Sequence, residues 1–309
     1  MPYQFYILLT FANDLEDRAQ YLRNLPRELK EVSNALQKLI QKGKYELLEK
    51  ANVSIEQFFD LFQSEKYKDK IAGLHYGGHA QSYELLLQHL DGTKSIAHAE
   101  GLHPFLARQK SLRFIFLNGC STQQHAKALT DLGIPVVIAT SEAIKDDIAT
   151  ELSIAFYKAL AEDNSLETAW KNATDFIKTK TGAKTENTRG LYREEATLTT
   201  DFPWAIYVKD GNEKALQWKP SDEKPPESVV AREAKDLIRK GKTDEAFDKL
   251  LRFIKEDADL YNDALLQASR WKELKKQERR GVISSADAGT ERNKILYALL
   301  EIADEVRKG

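Results

Sequence analysis

The chain predicts an α/β domain on a mostly parallel sheet, followed by a small all-α helical bundle. Three observations carry that expectation. Apolar runs with strand character alternate with amphipathic helical stretches over residues 1–218, the pattern of a sheet covered on both faces. The segment "KPSDEKPPE" then gathers Pro220, Pro225 and Pro226, a composition that reads as a stiff, extended linker. Beyond it no strand signal occurs, only amphipathic helices. The expected domains are therefore 1–218, a linker at 219–228, and a helical domain at 229–309.

Taken in order, Tyr3 to Thr10 reads as a buried strand. "LPRELKEVSNALQKLIQKG" spaces Leu29, Val32, Leu36, Leu39 and Ile40 for one helical face, with Pro26 at its start and Gly43 past its end. "SIEQFFDLF" opens on Ser54 with Gln57 three residues later, a capping-box pattern. "KIAGLHY", "LRFIFLNG" and "PVVIAT" read as further strands, and "FPWAIYV" as a closing one, with Phe202, Trp204, Ile206 and Val208 alternating. Between them, "IATELSIAFYKAL" and "SLETAWKNATDFIK" are amphipathic helices. Thr181 to Thr200 is polar and aperiodic and is expected to act as a lid or latency loop. In the tail, two helices flank Gly241, a third stops at Gly281, and "ADAGTERNKILYALLEIADEV" makes a fourth. Gly241-Lys242-Thr243 lacks the upstream glycine and strand of a phosphate loop. It reads instead as a helix stop, with Thr243 capping the next helix.

Composition excludes several classes. A net charge of −2 gives no electrostatic case for nucleic acid as main partner. No apolar run reaches the length of a membrane span, and "MPYQFYILLTFAND" lacks the basic n-region of a signal peptide. The single cysteine, Cys120, rules out an intramolecular disulfide framework and fits a reducing, cytoplasmic setting.

That cysteine follows the apolar run of "RFIFLNGCSTQQ", where a strand gives way to a loop. A lone cysteine is commonly a small buried hydrophobe. Loops at strand ends, however, carry chemistry. Upstream, "GLHYGGHAQS" sets His79 after two glycines at the end of another strand. In open α/β sheets ligands bind beyond the carboxyl ends of strands, and a thiolate beside an imidazole is the minimal unit for attack on a carbonyl. The two strands are expected to be neighbours. His75 keeps two readings, a residue shaping a substrate cleft or a satisfied strand-end histidine. His75, His79, Cys120 and His125 are ligand types without the compact spacing of a zinc motif, and no metal or cofactor is expected. His89, His98 and His103 read as loop or surface residues.

"LHYGGHA" and "FIFLNGCST", in this order, resemble the paired motifs of the CHAT family, caspase-like proteases related to separase. The segment Gly133 to Ala173 and the strand "DFPWAIYV" are similar to later blocks of that family. The resemblance covers about residues 1–218 and implies a caspase-like three-layer α/β fold with cysteine endopeptidase activity on a protein substrate. It implies Cys120 as nucleophile, His79 as general base and acid, and an oxyanion hole from the backbone N–H groups of Ala80 and Cys120. Caspases usually carry glycine where this chain has Ala80, and the residues flanking Cys120 differ from theirs, so aspartate specificity is not implied. Asp146 and Asp147 open a helix. They read either as helix-terminus charges or, as the family's paired acids imply, as substrate-binding residues for a basic P1 side chain.

"SRWKELKKQERRGVIS" and "ERNKILYALLEIADE" resemble the bacterial effector-associated domains, death-like adaptor modules. That resemblance implies a partner, a sensor or effector carrying a matching module, and a role in bacterial conflict or antiphage defence. The charged run Arg270 to Arg280 is the expected contact. Two rivals are a non-catalytic caspase-like scaffold and a TIR-like NAD hydrolase; the second leaves the Gly-Gly-His and Asn-Gly-Cys turns unexplained.

Overall fold

The computed structural model describes residues 5–17, 20–89, 91–181, 202–223, 227–255 and 257–306. The latency loop expected at 181–200 lies, apart from its first residue, outside the described residues. The chain divides into two compact units, 2–223 and 224–309.

The first unit is a sheet of six strands in the order β2-β1-β3-β7-β8-β9. These are β1 (Phe5–Ala12), β2 (Tyr45–Ala51), β3 (Ile71–Gly78), β7 (Phe114–Asn118), β8 (Val136–Thr140) and β9 (Trp204–Tyr207). All pair in parallel except β9, which runs antiparallel to β8. Alternation along the strands divides the core in two. Ile7, Leu9, Phe114, Phe116 and Ile138 face one layer, with α1 (Leu25–Gln41), α5 (Asp146–Ala161) and α6 (Leu166–Thr181). Leu8, Tyr76, Ile115, Leu117 and Val137 face the other, with α2 (Ile55–Gln63), α3 (Ala99–Ala107) and α4 (Gln123–Asp131). The unit is thus a three-layer α/β domain.

The helix signals act as read. Pro26 sits in the first turn of α1, and Gly43 follows its end at φ +77°. At α2 the Ser54–Gln57 capping box is formed from both sides. A hairpin sheet of β4 (Ala80–Gln81), β5 (Glu84–Gln88) and β6 (Lys94–His98) is inserted after β3.

The segment read as the start of an extended linker is docked instead. Residues 220–222 form a 3₁₀ turn with Pro220 buried, and its carbonyl accepts from the Tyr45 hydroxyl at 3.0 Å. Glu223 is buried and pairs with Arg113. The buried carboxylate and carbonyl need partners, and only the body of the domain supplies them.

Among its described residues the second unit is four helices, α7 (Glu227–Arg239), α8 (Thr243–Phe253), α9 (Ala258–Arg280) and α10 (Ser285–Val306). It has its own core of Val230, Phe247, Leu250, Ile295, Leu299 and Ile302. Gly281 ends α9 in the left-handed conformation at φ +66°. Thr243 does not cap α8. Lys242 occupies the cap position, and Thr243 is buried in the first turn. No described helix is long and apolar enough to cross a membrane.

Candidate active site

The parallel strands β1, β3, β7 and β8 end on one edge of the sheet, so the segments that follow them form one loop cluster. In the β3–β7 ladder Gly77 stands opposite Asn118. His79 follows the end of β3 by one residue and Cys120 the end of β7 by two, so both lie in the segments just past these paired strand ends. The two turns touch. A Cβ added at Gly119 would lie 2.7 Å from the Gly78 carbonyl oxygen and 3.0 Å from the Ala80 Cβ. A Cβ at Gly78 would lie 2.5 Å from the Ala12 carbonyl oxygen. Missing side chains are what allow this approach.

His79 is half-buried, and its Nε2 lies 2.5 Å from the Gln20 carbonyl oxygen in the segment after β1. A carbonyl only accepts, so Nε2 carries the hydrogen, and of the two neutral tautomers this contact selects the one with its lone pair on Nδ1. From the backbone side, the His79 carbonyl accepts the Leu86 N–H at 3.0 Å and is reached by the Tyr76 hydroxyl. Burial, with a smaller contribution from nearby Cys120, holds that hydroxyl well above its ordinary pKa, outweighing the opposing effect of the Leu86 backbone. Tyr76 therefore stays a neutral donor.

The Leu86-to-His79 bond also makes Ala80 and Leu85 a non-hydrogen-bonded pair of the antiparallel ladder, so the Ala80 N–H points away from β5. Among the described residues the Cys120 N–H makes no hydrogen bond. Two backbone donors are thus unengaged by neighbouring strands, one beside each of His79 and Cys120.

Cys120 is half-buried and unpaired to any disulfide. Ser121 after it is held at φ +54°, a conformation few side chains adopt, and donates its N–H to the Glu142 carbonyl at 3.3 Å. Thr122 is fully buried. Its hydroxyl accepts the Thr140 N–H at 2.9 Å and reaches the Leu117 carbonyl at 3.2 Å, tying the ends of β7 and β8 together. The Thr140 hydroxyl donates to the Gly119 carbonyl. Behind the turn, Asn118 donates to Glu28 Oε1 at 2.6 Å and to the Ala149 carbonyl at 3.1 Å. None of these supports was identified from sequence. Their partners are up to 90 residues apart, and a carbonyl such as Gln20's has no residue signature.

The other expected site residues separate. His75 is fully buried on the α1/α5 face, among Phe11, Phe116 and Tyr157, with Glu28 Oε1 3.2 Å from its Nε2. It does not line a cleft; strand alternation turns it into the core, which corrects the substrate-binding expectation. Asp146 and Asp147 both sit in the first turn of α5. Asp146 Oδ2 accepts the Asn24 backbone N–H at 2.9 Å and its side-chain amide at 3.0 Å, so this carboxylate ties α5 to the cap of α1. Asp147 is exposed. Among the described residues no group of three His, Cys, Asp or Glu side chains could hold a metal ion.

Family models match the chain twice: "CHAT domain" at residues 6–212 and "Effector-associated domain 11" at 231–307. No curated protein matches. Among solved structures, one similar chain is the Drosophila initiator caspase Dronc, 13% identical over 56% of this chain and 72% of that one, with a TM-score of 0.38. Another is a secreted C11 cysteine protease from Bacteroides thetaiotaomicron, solved with an irreversible peptide inhibitor. It is 11% identical over 76% of this chain and 70% of that one, with a TM-score of 0.42.

Proposed function

Because the chain belongs to the CHAT family, we propose that it is a cysteine endopeptidase effector using Cys120 and His79, recruited through its effector-associated domain. The observation that carries this reading is the β3–β7 register, with the Gly78–Gly119 approach that sets the two turns side by side. In the proposed cycle His79 Nδ1 takes the thiol proton as Sγ attacks the scissile carbonyl. The carbonyl π pair moves to oxygen, and the N–H groups of Ala80 and Cys120 receive the developing charge. Collapse expels the amine, which takes the proton from His79. Water, deprotonated by the same ring, then attacks the thioester carbonyl; the C–S bond breaks, the acid is released, and Sγ takes the proton back from His79. The Gln20 carbonyl keeps the ring in the tautomer this requires and stabilises the imidazolium. The test is covalent: a peptidyl acyloxymethyl ketone with a basic P1 residue should add one inhibitor mass at Cys120, read by intact and peptide mass spectrometry. An unlabelled protein would support a non-catalytic scaffold.

Of the two acids, Asp147 is the proposed partner of a basic P1 side chain, because its carboxylate is exposed and Asp146 is engaged with Asn24. Asp147→Asn should lower kcat/KM for Arg or Lys substrates about tenfold or more, with little change for neutral ones. Asp146→Asn should instead lower stability by about 1 kcal/mol. Equal losses on basic and neutral substrates would remove Asp147 from the pocket.

The tail is proposed to bind a partner with a matching module, which places the chain among effectors of bacterial conflict or antiphage defence in the cytoplasm. Much of the charged run is engaged within the bundle: Arg270 with Glu291, Lys275 with Asp244, and Glu278 with Arg292. Among its cations, Lys272, Arg279 and Arg280 make no such pair among the described residues, Arg279 bonding only the Lys275 carbonyl, and these three become the proposed contacts. A chain ending at Glu223 should keep its reaction with the electrophile and lose the partner in a pull-down, while residues 224–309 alone retain it. The reverse distribution would make the bundle a support for the protease domain.

A further inference from the structure

A histidine pair lies buried beneath the loop cluster. His103, expected at the surface, is instead on the buried face of α3, and His125 in the first turns of α4 is fully buried. His103 Nε2 is 2.8 Å from His125 Nδ1, and His125 Nε2 is 2.8 Å from the Gln81 carbonyl oxygen. The rings abut a small cavity whose other lining is apolar, including Leu74, Leu102, Leu106 and Leu117, apart from Thr10 and Tyr76.

The proton pattern follows from the partners. Gln81's carbonyl only accepts, so His125 Nε2 carries a hydrogen. His125 Nδ1 then accepts, so His103 Nε2 carries the other. Burial pushes both rings toward the neutral form, and the neighbouring ring adds to this at His103, whose pKa falls to about 4. One neutral, directional chain therefore runs from α3 through α4 to β4.

Its ends matter. Gln81 lies two residues after His79 and one after Ala80, and His125 lies five after Cys120 on the helix that the Cys120 turn enters. This hydrogen bond is a direct side-chain tie between the His79-bearing segment and the Cys120-bearing one. Resting on the proposed dyad, we infer that His125 is a positioning residue: it holds His79 and the Ala80 N–H at their working distance from Cys120, and His103 sets its tautomer. His125 touches no substrate.

The test follows Cys120 alkylation by iodoacetamide against pH, alongside peptide turnover, in the full chain. Wild type and His79→Ala should give different alkylation profiles. His125→Leu should move the profile toward that of His79→Ala and lower kcat about 10–100-fold with KM little changed. His125→Gln, whose amide can donate to the Gln81 carbonyl, should recover most of both. A folded His125→Leu protein with the wild-type profile and kcat overturns the inference while leaving the dyad intact. Identical profiles for wild type and His79→Ala overturn the dyad and the inference with it. Imidazole ¹⁵N NMR of the wild-type protein needs no variant to fold. It should show both rings neutral with hydrogen on Nε2, and hydrogen on His125 Nδ1 would overturn the inference.

Discussion

Cys120→Ala will reduce peptide-bond hydrolysis by at least about 10³-fold and abolish covalent capture by a peptidyl electrophile. No other thiol exists in the chain to substitute for it. His79→Ala will lower turnover by about 10²–10⁴-fold, the range for loss of a general acid and base. The two losses will not add in the double variant, because in the proposed cycle thiol and imidazole act as one unit. Stability should be nearly unchanged in Cys120→Ala. The side chain is only half-buried, and the turn around it is held by Thr122, Thr140 and Ser121 rather than by the thiol. Turnover of a peptide substrate compared with thermal unfolding separates the effects. A folded Cys120→Ala protein that cleaves at the wild-type rate would end the reading of Cys120 as nucleophile.

Gly119→Ala should damage the site directly. The added carbon would meet the Gly78 carbonyl oxygen at 2.7 Å and the Ala80 Cβ at 3.0 Å, both on the His79 side of the site. One neighbour is backbone and the other a β-carbon, so neither can rotate away. The two turns must separate, at a cost of about 1–3 kcal/mol. Displacement on that scale is worth about 10²-fold in rate where the reacting groups must meet. Gly101→Ala is the control. It lies within α3 with open space around the added carbon, and should leave activity unchanged while gaining up to about 1 kcal/mol of stability. Denaturant unfolding with kcat for both variants tests the contrast. Equal behaviour of the two would mean that the Gly78–Gly119 approach does not set the site.

Elements with strong periodicity and flanking stop signals were legible along the chain: α1 with Pro26 and Gly43, α2 with its capping box, the strands around Leu74, Phe116 and Val137, and α9 ending at Gly281. Elements without them were not. β2 is an edge strand with no clean alternation, and α3 carries Gly101 and Pro104, both poor helix formers, so packing rather than propensity holds it. The inserted hairpin sheet is built of short strands whose pairing depends on the turn after β3.

Sequence by itself determined the two-part composition, the α/β alternation and the places of His79 and Cys120 just past the ends of two strands. Each follows from local pattern, because side-chain period, caps and strand termini are properties of contiguous residues. Tertiary structure alone decided the rest. It turned His75 into the core, engaged Asp146 with Asn24, placed the Gln20 carbonyl on His79, and joined His103 and His125 beneath both turns. The physical reason is common to all four. A buried or half-buried polar group must find a partner, and that partner is chosen by which distant segments the sheet brings together.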